Sequence, residues 1–159
     1  MKSDAMHRWA TLGANLGVLL GLFFLVAELN QNADMMRAQT RNELSTSIVD
    51  LFARVSENGD LASLRRRADA GEALTEDESY RYTIITRAFF RYWENVHYQF
   101  RQGLYDNAEF SKQREAWATY AASSEAVVSF WCGHRREFSA EFASEFDMLI
   151  PGNSCPPEG

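Results

Sequence analysis

The chain reads as an all-α protein, an N-terminal transmembrane helix followed by a five- or six-helix antiparallel bundle. Three observations predict this. Residues 9–29, WATLGANLGVLLGLFFLVAEL, form an apolar run long enough to cross a ~30 Å hydrocarbon core at 1.5 Å per residue. Behind it, apolar residues recur three and four apart in successive blocks, the spacing that gives a helix one apolar face. Proline is absent until Pro151 and no block alternates with the period of a strand, so nothing interrupts the helices.

Residues 1–8 are a short flank with Lys2 and Arg8. In the run that follows only Thr11 and Asn15 are polar, and Glu28 stands at the far end, where a carboxylate reaches the interface. Two other readings stay open. A cleaved signal peptide has the same basic start and apolar centre but needs a small-x-small cleavage site, of which Leu25-Val26-Ala27 and Gln31-Asn32-Ala33 are poor versions. A buried helix of a soluble protein is the third. Gly13, Gly17 and Gly21 recur at i, i+4 and i+8, which lets a second helix approach closely in lipid; glycine is also simply common in membrane helices. Lys2 and Arg8 precede the run more closely than Arg37 and Arg41 follow it, a slight lean toward an inside N-terminus and a periplasmic domain.

Residues 30–150 are predicted as the bundle and 151–159 as a flexible tail. The first domain helix spans about Asp34 to Glu57, continuing directly from the anchor, with Leu44, Ile48, Leu51, Phe52 and Val55 on its apolar face. Asn58-Gly59 ends it. Asp60 is placed to cap a short helix, Leu61 to Ala70, closed by Gly71, and its Arg65-Arg66-Arg67 triplet suits a phosphate or an acidic partner but, beside so many carboxylates, reads as a solvated face. Thr75-Glu76-Asp77-Glu78 has the form of a capping box. It opens a long central helix with Tyr82, Ile85, Phe89, Tyr92, Val96 and Phe100 on one seam, Phe90, Trp93 and His97 beside it, and Gly103 at the end. Asp106 caps the next helix, faced by Phe110, Trp117, Tyr120 and Ala121. Ser123 or Ser124 starts a segment with Val127, Val128, Phe130 and Trp131. A last helix sets Phe138, Phe142, Phe146 and Leu149 on one side before Pro151. Short connections favour antiparallel neighbours.

Composition bounds the function. Hydrophobic residues are 46%, aromatic residues 13% and charged residues 24%, with a net charge of −6; such a chain folds, and its acidic excess argues against nucleic acid as a partner. Attachment to membrane lipid falls to the anchor. Two cysteines, Cys132 and Cys155, suit a disulfide in an exported domain. If residues 134–150 are one straight helix of about 25 Å, however, a five-residue tail reaching about 17 Å cannot return. A bridge therefore requires a bend. The expectation is two unpaired cysteines, Cys132 packed as a small apolar residue and Cys155 exposed, where a free thiol can also join two chains.

No catalytic constellation is visible, and neither nucleophile elbow nor phosphate loop occurs, so the chain is expected not to be an enzyme and to need no cofactor. Glu94 and His97 form a Glu-x-x-His pair, the spacing of di-iron bundles, but a second pair is missing; they are a weak metal candidate beside the plainer reading of a histidine partnered by a carboxylate. The dense stretch RAFFRYWENVHYQF, residues 87–100, suggests an apolar ligand pocket at Phe90, Trp93, His97 and Trp117, or simply core.

The pattern Glu28-Leu29-Asn30-Gln31-Asn32, then Leu74-Thr75-x-x-Glu78-x-x-Arg81, Phe90-x-x-Trp93-Glu94-x-x-His97, Gly103-Leu104, and Trp131 followed by Phe138 and Phe142, resembles a family of small single-span bacterial membrane proteins of unknown function. The likeness covers nearly the whole chain. It implies a bacterial inner-membrane protein and brings no activity or active site. The function expected is therefore a membrane-anchored interaction or accessory protein, a homo-oligomer or the companion of another membrane protein. A tethered small-ligand sensor using the aromatic pocket is the alternative.

Overall fold

The apolar run and the segment behind it form one uninterrupted helix, α1, Lys2–Ser56. The computed structural model describes residues 2–150 together with Gly152 and Cys155, and side chains from His7 onward. Pro151 and the rest of the predicted tail lie outside the described residues. All regular structure among the described residues is helical, as the sequence predicts. The chain divides into two compact units, Met1–Gln39 and Thr40–Gly159.

In the first unit the large apolar side chains from Trp9 to Leu29 are exposed. Trp9 is 71% exposed and Phe23 68%, and the leucines and valines between Leu12 and Leu29 are all at least half exposed. The helix is long and apolar enough to cross a membrane. Thr11 donates its hydroxyl to the His7 carbonyl at 2.9 Å, so this polar group is satisfied within the helix itself.

The second unit is built around α3, Glu76–Arg101, which contacts α2 (Gly59–Asp69), α4 (Asn107–Ser123), α5 (Glu125–His134) and α6 (Ala140–Asp147). Its capping box is complete: Thr75 Oγ1 accepts the Glu78 N–H, and the Glu78 carboxylate accepts the Thr75 N–H at 2.9 Å. Asp106 caps α4 through the Ala108 and Glu109 N–H groups, and Ser124 caps α5 through Val127. Gly71 and Gly103 sit at φ 76° and 71° after α2 and α3, a region that side chains with a Cβ rarely adopt. The cap of α2 differs from expectation. Asn58, not Asp60, accepts the Leu61 N–H, at 3.2 Å, because the helix starts two residues earlier than predicted, at Gly59.

The main core is aromatic. Phe90, Trp93, Val96, Phe110, Trp117, Phe130, Trp131, Phe138, Phe142, Phe146 and Ile150 pack into one cluster with Leu44 of α1. Leu64, Ala68 and Tyr82 form a second, smaller one. Of the apolar face assigned to the end of α1, Leu44 is buried and Ile48, Leu51 and Val55 are half-buried, while Phe52 is 57% exposed.

The expectation of unpaired cysteines is overturned, since Cys132 and Cys155 form a disulfide. The premise of a straight terminal helix fails. After His134 the chain passes through a 3-10 turn, Arg135–Glu137, and is extended at Phe138 before α6 starts at Ala140. That change of direction supplies the bend a bridge requires.

Candidate functional site

Gly13, Gly17 and Gly21 lie on α1, and a Cβ built on any of them meets nothing within 4 Å. Their face is open. The four residues suggested as a ligand pocket are in the main core instead. Phe90 is fully buried and touches five other rings. The Trp93 and Trp117 rings stack at 5.7 Å, and His97 lies 5.9 Å from both Phe110 and Phe142. Burial pulls the His97 pKa below its ordinary value, which keeps the imidazole neutral among its apolar neighbours.

Glu94 and His97 share a helix but serve different neighbours. One Glu94 oxygen accepts the Ser139 N–H at 2.7 Å and the other accepts from Arg91 at 2.7 Å. Burial opposes the charged carboxylate; the Ser139 N–H and the Arg91 guanidinium more than offset it, so its pKa is lowered. Glu94 thus fixes the backbone of Ser139, the N-cap residue of α6, whose own side chain makes no capping hydrogen bond. Arg91 also donates to the Glu137 carbonyl at 2.8 Å, and Arg87 grips the Glu137 carboxylate through two nitrogens at 2.9 and 3.1 Å. The three α3 side chains hold the turn that leads into α6. Among the described residues no three His, Cys, Asp or Glu side chains are grouped to hold a metal ion.

The arginine triplet is not the uniform solvated face the sequence suggests. Arg65 turns inward, its guanidinium 4.3 Å from the Phe89 ring centre and 4.9 Å from that of Tyr120, and it donates to the Tyr120 hydroxyl. Arg67 reaches the capping box of α3, pairing with Glu78 at 2.7 Å and Glu72 at 3.0 Å. That contact, with the Thr75 N–H, holds the Glu78 carboxyl down to about 2. Only Arg66 is exposed. Beside Arg65, Asp69 accepts from the Ser124 hydroxyl at 2.9 Å and the Tyr82 hydroxyl at 3.3 Å. One carboxylate so ties α2 to α3 and to the cap of α5.

Surface grooves border this unit among the described residues. One of about 540 Å³ runs along Arg135, Arg136, Phe138, Ala143, Asp147 and Met148. A second, about 430 Å³, lies between the α2–α3 connection and α5 at Leu74, Tyr82, Ala126 and His134. The third, about 640 Å³, lies between the end of α1 and α2 and is walled by Val49, Phe52, Ala53, Arg65, Arg66 and Asp69. None of these three is lined by Phe90, Trp93, His97 or Trp117. Sequence reasoning missed the third groove. Its one signal was Val49, an apolar residue one step off the assigned face.

No protein-family model, curated protein or solved structure matches the chain.

Proposed function

We propose that this is a single-pass protein of a bacterial inner membrane whose helical domain acts by protein contact, as an accessory or scaffolding subunit. The observation that carries the reading is the exposed stretch from Trp9 to Leu29. Soluble proteins rarely present a contiguous apolar surface beyond a few hundred Å². Its eleven Leu, Val and Phe residues favour a helix centre in lipid by about 0.3–0.6 kcal/mol each, roughly 3–7 kcal/mol together, which outweighs one asparagine and a hydroxyl bonded within its own helix.

The open glycine face supports close association with a second membrane helix. The Cys132–Cys155 bridge suits an oxidising compartment, and the basic residues Lys2 and Arg8 before the run lean the same way, so the domain is assigned to the periplasmic side. The family resemblance supports the bacterial setting.

Alkaline carbonate extraction tests the anchor: the native protein is expected to stay in the pellet with its first thirty residues intact. Release into the supernatant, or an N-terminus trimmed past residue 29, refutes it. Gly17→Leu is expected to weaken whatever oligomer or companion co-purifies in mild detergent, and unchanged recovery removes the case for the glycine face.

A further inference from the structure

The last turns of α1 leave two large apolar side chains outside the core, Val49 at 62% and Phe52 at 57% exposure. With Ala53 and Ser56 they wall the groove against α2. Asp50 and Arg66 stand on the two flanks of this face, with Arg54 one turn beyond Asp50 and further round the helix. Asp50 stands roughly 100° round the helix from Val49, on the side away from Phe52. The Phe52 ring meets Phe89 at 5.5 Å, and Arg65 of α2 covers Phe89, so α2 borders the Phe52 side and brings Arg66 to the rim. Asp50 and Arg66 are exposed, and neither side chain has an ion-pair partner among the described residues.

We infer that this face is a contact between two copies of the chain, a parallel two-fold pair in which Val49 and Phe52 of each copy meet the other's groove and Asp50 of each faces Arg66 of the other. A two-fold axis turns one flank of a surface toward the opposite flank of its mate. Asp50 of one copy therefore meets Arg66 of the second, and the match is made twice. Packed antiparallel to itself, the same helix face gives no such pairing along a shared direction. The inference rests on the anchor reading, because a common bilayer is what makes the pair parallel. A stable soluble interface buries ~800 Å² per partner; confinement to one membrane raises the effective concentration enough for a smaller contact to form.

The test uses the full chain reconstituted in lipid vesicles, with energy transfer between donor- and acceptor-labelled copies in one bilayer giving the dimer dissociation constant. Asp50→Arg and Arg66→Asp, both at exposed positions, are each expected to raise it about ten-fold or more, and the double variant to return it close to wild type. Val49→Glu is expected to raise it further, without a change in helix content. A wild-type protein that is monomeric though carbonate-resistant overturns the contact, as do single reversals without effect or a double variant no better than the worse single. Association that answers to Gly17→Leu but not to the charge variants also overturns it and leaves the anchor standing. Release from the membrane by carbonate fails the anchor reading instead, and the parallel pair with it.

Discussion

Breaking the Cys132–Cys155 bridge is expected to cost the helical domain about 3 kcal/mol. The two cysteines are 23 residues apart, and in the chain-entropy account a closed loop of that size restricts the unfolded ensemble by roughly 3.4 kcal/mol at 25 °C. The loop encloses α6 and its flanks, which send Phe138, Phe142, Phe146 and Ile150 into the core. Without the bridge those side chains still have their sites, so the native state persists while the unfolded chain regains freedom. For a domain of about 120 residues the cost lowers the melting temperature by on the order of 12 °C. The assay is tryptophan fluorescence during heating in detergent, in which Trp93, Trp117 and Trp131 leave the core on unfolding while Trp9, already exposed on α1, gives a constant background. Wild type with a reductant and Cys155→Ser without one should melt together, and Cys155→Ser should be indifferent to reductant. A reduced protein that melts within 2 °C of the oxidised one refutes the argument, as does purified protein whose two thiols are both free by mass spectrometry.

Three further outcomes follow from the packing. Trp131→Phe is expected to cost about 1 kcal/mol more than Trp117→Phe in urea unfolding, because Trp131 Nε1 donates to Asp147 at 2.9 Å whereas the buried Trp117 Nε1 has no acceptor among the described residues; equal costs would contradict it. Thr75→Ala should lower stability by about 1 kcal/mol by removing the capping contact of α3, visible as a shift in the same urea midpoint, and no shift would show that the cap is silent. Acidification should destabilise the domain in two stages. The folded-state pKa values of His97 and of Glu78 both lie below their ordinary ones, so each contributes stability above its unfolded value that is lost as pH falls through the folded one. The first stage starts below about 6.5 as His97 charges in its apolar site, with Glu145 and Glu141 favouring and Arg101 and Arg114 opposing the charge. The second runs from about 4.5 to about 2 as Glu78 protonates and releases Arg67, joined by Glu94, Glu141 and Asp147, whose carboxyls are also held below their ordinary values. His97→Gln should erase the first stage in pH-dependent melting curves and leave the second.

Local signals carried most of the secondary structure. Thr75 with Glu78, Asp106 and Ser124 announce helix starts because a side-chain oxygen satisfies backbone N–H groups two or three residues away, and Gly71 and Gly103 announce ends because their backbone enters the left-handed region. All-α architecture and the central place of residues 76–101 were legible for the same reason. The arginine triplet was not. Arg65 is decided by Phe89 and Tyr120, 55 residues from Tyr120 in sequence, and Arg67 by Glu78 across a turn.

What the sequence determined alone is what depends on neighbours along the chain, namely the apolar run, the caps, the glycine stops and the repeat of large side chains that must be buried. What tertiary structure decided is which of those side chains meet. It chose Phe90, Trp93, His97 and Trp117 as core, left Val49 and Phe52 outside it, used Glu94 to hold the Ser139 N–H 45 residues on, and turned the chain between His134 and Ala140 so that Cys132 and Cys155 join. Periodicity gives a helix its apolar stripe, but the partner that covers each part of the stripe is set by close packing among distant segments.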